Sequence, residues 1–104
     1  MKEKMQEMAF QIIAAVGGAK SSYVEAMYLS REGKFDEAKQ LIKDGEELFS
    51  TAHTFHFDIV QKEAAGEELP FSVLFMHAED QLLATETIKI MAEEIILLRE
   101  EAIK

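Results

Sequence analysis

Residues 70–98 read PFSVLFMHAEDQLLATETIKIMAEEIILL, and the spacing of apolar residues in this stretch decides the fold. Met76, Leu83, Ile90 and Leu97 recur every seven residues, and Leu74, Gln81, Ile88 and Ile95 form a second such row. A third row is His77, Ala84, Met91 and Leu98, bordered by Val73, Asp80, Thr87 and Glu94. Recurrence at three, four and seven is the period of an α-helix. Pro70 suits a position just before or at a first turn, so the helix is expected from about Phe71 or Ser72 to the C-terminus. A helix buried within one small domain needs an apolar stripe only somewhat wider than 100°. The apolar rows here cover more than that, which calls for a second packing partner, and self-association supplies one economically. A parallel assembly through this helix brings copies of His77 and Asp80 near a shared interface.

Working outward, two glycine-marked breaks divide the chain: Arg31-Glu32-Gly33-Lys34-Phe35 and Gly66-Glu67-Glu68-Leu69-Pro70. Before the first break, Met5, Met8, Ile12, Val16, Ala19, Tyr23, Ala26 and Met27 keep helical spacing. Between the breaks, Ala38, Leu41, Ile42, Leu48, Phe49, Ala52, Phe55, Ile59 and Val60 do the same, with Asp36 as the expected N-cap. Each helix spans close to 30 residues, roughly 45 Å at the rise of an α-helix. Gly17-Gly18 lies inside the first helix, where it either kinks the helix or permits close contact. Short connections make neighbouring helices antiparallel. The expected fold is therefore all-α: one domain over residues 1–104, an up-down-up antiparallel three-helix bundle. No strand alternation, low-complexity tract or internal repeat competes with it.

Composition narrows the function. The 104 residues carry 11 basic and 20 acidic side chains, a formal charge of -9, and 48% of them are apolar. The acidic balance argues against nucleic acid, whose binding rests on neutralising phosphates with Lys and Arg. With no cysteine, the chain has no disulfide, thiolate metal site or cysteine nucleophile. No apolar run approaches the roughly 18 residues of a membrane span. Met1 to Lys4 followed by Ala9 to Ala19 has the outline of a short signal peptide. Gln11 interrupts the apolar segment, however, and Glu3 and Glu7 stand where a basic flank belongs, so a buried helix face is the better reading.

Few residues carry chemistry. His77 and Asp80 are three apart on the third helix and share a face. A histidine beside a carboxylate suits proton transfer, metal binding or nucleophilic catalysis, although a histidine merely hydrogen-bonded to a local acid has the same spacing. His53 and His56 repeat the spacing beside Phe55 and Phe57. His53 is expected in the interior or an interface and His56 at the surface. No Glu-x-x-His occurs, which removes the di-iron carboxylate bundles. Gly17-Gly18-Ala19-Lys20-Ser21 lacks the spacing and preceding strand of a phosphate loop. Glu93-Glu94 and Glu100-Glu101 read as solvated helix faces.

The segment from Gly66 to Val73, leading into Met76-His77-Ala78-Glu79-Asp80-Gln81-Leu82-Leu83, resembles the enzyme IIA component of lactose/cellobiose-type sugar phosphotransferase systems. Ala19-Lys20-Ser21, Gly33-Lys34-Phe35 with Ala38, and Ala52-His53 extend the likeness over nearly the whole chain. The resemblance implies a cytoplasmic phosphoryl carrier assembled as a homotrimeric nine-helix bundle. It implies that His77 accepts phosphate from the phosphocarrier protein HPr and passes it to the cognate IIB component. It also implies that Asp80 holds a divalent cation, magnesium, at the trimer axis, and that this component never binds the sugar. The residue types suit the chemistry: a neutral imidazole attacks phosphorus with a lone pair, without first losing a strongly held proton. The apolar collar of Phe71, Val73, Leu74, Phe75 and Met76 is a docking face or a core face, and the charge of -9 suits partners with basic surfaces.

Two positions depart from the family pattern. Gln81 replaces a second histidine and cannot titrate or take phosphate. Glu79 replaces a glutamine and adds negative charge near His77, which disfavours an incoming phosphate unless the side chain points away. These departures keep open a second class of function, a non-catalytic helical oligomer that binds proteins.

Overall fold

A computed structural model describes residues 2–103, so Met1 and Lys104 of the expected 1–104 domain lie outside the described residues. Three α-helices of 30 residues each make up the fold: α1 (Lys2–Arg31), α2 (Phe35–Ala64) and α3 (Val73–Ala102). There is no strand among the described residues. The bundle measures 55 × 20 × 19 Å.

Both turns fall on the glycines that the sequence marks. Gly33 and Gly66 have φ of 80° and 94°, a left-handed conformation that a side chain would strain. The two starts differ in detail from expectation. Lys34, not Asp36, occupies the N-cap of α2 and makes no side-chain cap bond. Asp36 sits inside the first turn with Glu37, where a negative charge still favours the positive end of the helix dipole. Ser72 caps α3 in extended geometry (φ -145°, ψ 117°), its hydroxyl accepting the Phe75 N–H at 3.1 Å, so helical residues begin at Val73.

Interhelix contacts establish the up-down-up order. Gly18 lies against Leu48, and one turn later on α1 Ser22 Oγ donates to the Leu41 carbonyl at 2.6 Å, two turns earlier on α2, so α1 and α2 are antiparallel. Lys39 near the start of α2 grips both carboxylate oxygens of Glu100 near the end of α3, at 2.9 and 3.0 Å. Arg99 donates to the Met27 carbonyl and to Ser30 Oγ, so α1 and α3 finish at the same end. α1 is the central element, packing extensively on both others, whereas α2 and α3 touch each other much less.

The core forms two clusters along the bundle. One gathers Met5, Met8, Ala9, Ile12 and Val16 of α1 with Ala52, Ile59, Phe75, Ala78 and Leu82. The other gathers Ala19, Tyr23, Ala26, Ala38, Ile42, Ala92 and Ile96, where alanines let the helix axes approach. The early apolar segment thus supplies a buried helix face. Leu48 and Val60, expected in the core, are partly exposed, because α2 is covered mainly on the side facing α1. α1 runs unbroken through Gly17-Gly18, and Gly18 brings α1 close to Leu48 of α2. Of the expected solvated acids, Glu94 and Glu101 are exposed; Glu93 and Glu100 are half-buried and face Lys89 and Lys39. No described helix is long and apolar enough to cross a membrane.

Candidate functional site

The site lies in the first two turns of α3. Phe75, Ala78 and Leu82 point inward and anchor those turns on α1 and α2. Residues between them are forced outward by the 100° step of the helix. His77 and Asp80 are both exposed, and neither makes a hydrogen bond or ion pair among the described residues. The imidazole nitrogens of His77 are therefore open to an incoming group.

Exposed apolar side chains precede this position in the chain. Phe71, Val73 and Met76 are exposed by 78%, 69% and 50%, Leu74 is half-buried, and Phe75 alone of the collar is core. Beside Phe71 and Met76 a groove of about 320 Å³ opens between Ile59, Val60 and Glu63 of α2 and the stretch Leu69 to Ser72, with Met5, Phe75 and Glu79 also lining it. The collar is consequently divided between the two roles that its composition allowed: one phenylalanine packs, and the rest remain available for contact.

Glu79 follows His77 by two positions, a rotation of about 200° that places the two side chains on opposite sides of the helix. Its Oε2 lies 2.7 Å from His56 Nε2 of α2. A carboxylate only accepts, so His56 Nε2 carries the shared proton. The His56 ring also stacks on Phe75, with centroids 6.2 Å apart and an interplanar angle of 17°. This overturns the surface assignment of His56: its side chain is 21% exposed and enclosed by α3. His53 is the reverse case within the chain. It is exposed and stacks on Phe57 at 6.3 Å, because its position on α2 faces away from α1. The His56–Glu79 pairing spans 23 residues and two helices, so no local spacing signals it.

A cation site is not complete within one chain. No group of three His, Cys, Asp or Glu side chains capable of holding a metal occurs among the described residues. Asp80 offers one exposed hard oxygen donor, chemically suited to magnesium, which takes oxygen ligands and retains waters.

Residues 7–100 match the family profile described as the PTS system, lactose/cellobiose-specific IIA subunit. The chain is 41% identical over 91 residues to the oligo-beta-mannoside-specific EIIA component of Bacillus subtilis, covering 88% of this chain and 83% of that protein. It is 39% identical over 101 residues to the lichenan-specific phosphotransferase enzyme IIA component of the same organism, covering 97% and 92%. Among solved structures, the cellobiose-specific enzyme IIA of Bacillus anthracis superposes with a TM-score of 0.90 at 35% identity, covering 94% of this chain and 90% of that one.

Proposed function

The chain belongs to the lactose/cellobiose-specific IIA family of sugar phosphotransferase systems, and on that premise we propose that it is a cytoplasmic phosphoryl carrier with His77 as its acceptor. The observation that carries this reading is the exposed, unpartnered imidazole of His77 on a rigidly anchored helical turn beside an exposed apolar collar. Phospho-HPr docks on the collar, and a His77 ring nitrogen attacks the phosphorus as the bond to the donor breaks. The same transfer runs again, with His77 as donor, to the cognate IIB component. Both steps are dominated by alignment and by stabilising charge on the phosphoryl oxygens. Burial of Phe75, Ala78 and Leu82 supplies the alignment on the carrier side by holding the turn in place. Apolar contact around the phosphohistidine keeps water from competing for it.

The carrier acts as a homotrimer joined through α3. Val73, Met76, Leu83, Ile90, Met91, Leu97 and Leu98 are all exposed in the single chain and lie along one side of that helix, and a contiguous apolar side of this kind marks an interaction surface. Asp80, Thr87 and Glu94 run within this side. Three convergent Asp80 carboxylates would hold a divalent cation, magnesium, which neutralises their mutual repulsion. Chelation is then expected to loosen the trimer and lower its melting temperature; unchanged melting and unchanged mass in sedimentation would remove the cation from this proposal.

Transfer itself is tested with enzyme I, HPr and labelled phosphoenolpyruvate. An acid-labile label is expected on the native chain and is expected to vanish in His77→Ala. Label persisting in that variant would exclude His77, and an unlabelled native chain with compatible donors would point to a protein-binding oligomer.

A further inference from the structure

The contact between His56 and Glu79 bears on a carboxylate that the family pattern does not place beside the acceptor. Glu79 stands two residues from His77, and an unpaired carboxylate there adds repulsion toward a dianionic phosphoryl group. In the structure that carboxylate is turned to the α2 side of α3, with Oε2 at 2.7 Å from His56 Nε2. A bond this short to an ionised group is of the strong, charge-assisted kind. His56 is itself held in place by its stack on Phe75, whose side chain is core and whose N–H is taken by Ser72 Oγ. Two further polar ties between α2 and α3, Lys39–Glu100 and Lys89–Glu46, lie toward the other end of the bundle. His56 is therefore placed to hold and compensate the carboxylate that follows the acceptor by two residues.

We propose that His56 is a positioning residue for phosphoryl transfer, binding the Glu79 carboxylate so that its negative charge is held on the α2 side of α3 and compensated by a hydrogen-bond donor. The proposal rests on the carrier reading of His77. No proton leaves or joins the phosphoryl group through this pair: His56 and Glu79 keep their bond while the phosphorus–nitrogen bond forms and breaks elsewhere on the helix.

The test compares initial rates of His77 phosphorylation by phospho-HPr for the native chain, His56→Ala, Glu79→Gln and the double variant. His56→Ala leaves the carboxylate unpaired and is expected to slow transfer by about fivefold at low salt, the size of a screened charge–charge effect across a short span of protein surface. That deficit should shrink as ionic strength rises. Glu79→Gln is expected at the native rate or faster, and adding it to His56→Ala should restore the rate. If the double variant is as slow as His56→Ala, with a deficit indifferent to salt, His56 merely supports the helix and the proposal is wrong. A native rate in His56→Ala also overturns it. An unlabelled native chain overturns the carrier reading and this proposal together, whereas a labelled native chain without rescue overturns this proposal alone.

Discussion

Tyr23 is fully buried against Gly45, and its hydroxyl has no hydrogen-bond partner among the described residues. Burial pushes the phenol up from 10.0 to about 12, with Glu46 and Glu93 adding repulsion to the charged form. The folded state thus holds the phenolic proton more tightly than the unfolded state does. The resulting stability is fully present below pH 10, declines as the unfolded phenol ionises, and is lost by about pH 12. Tyr23→Phe removes both the orphaned hydroxyl and the titration. It is expected to match or exceed native stability at neutral pH, by up to about 1 kcal/mol, and to flatten the decline between pH 10 and 12, as measured by urea denaturation across that range. At this scale His77 and Asp80 were legible as a pair because three residues on a helix bring side chains to one face. The partner of Glu79 was not, since His56 meets it only after two helices pack.

Among the elements, α1 and α2 are fitted to each other by glycine. A Cβ on Gly45 would overlap the Tyr23 ring, whereas one on Gly17 would meet no atom within 4 Å. Both residues lie inside helices, where alanine is intrinsically favoured by about 1 kcal/mol. Opposite outcomes are therefore expected: Gly17→Ala raises the unfolding free energy by about 0.5–1 kcal/mol, and Gly45→Ala lowers it by about 1–3 kcal/mol through overpacking. Chemical denaturation of the two variants side by side checks both signs. The sequence pattern located all three helices and both turns, because periodicity and left-handed glycines are local properties. It misplaced the cap of α2, where Asp36 is a good capping residue but the chain enters the helix at Phe35 and leaves the cap position to Lys34.

The whole molecule is dominated by the side of α3 that neither α1 nor α2 covers. Ile90 lies there, 57% exposed and outside both core clusters. Ile90→Lys is accordingly expected to retain the helical circular dichroism of the native chain. In sedimentation equilibrium it should run as the single 11.8 kDa chain, whereas the proposed trimer predicts three times that mass for the native protein. A three-chain mass for the variant would show that assembly does not use this side. Sequence by itself determined the three helices, their turns, the apolar excess on α3 and the placement of His77 with Asp80, since each follows from residue type and the 100° step of a helix. Only the tertiary structure decided which apolar positions are core, that Phe75 leaves the collar to pack, and that His56 takes the Glu79 carboxylate. Those outcomes depend on which faces of separate helices meet, and that contact is set by packing across the bundle rather than by spacing along the chain.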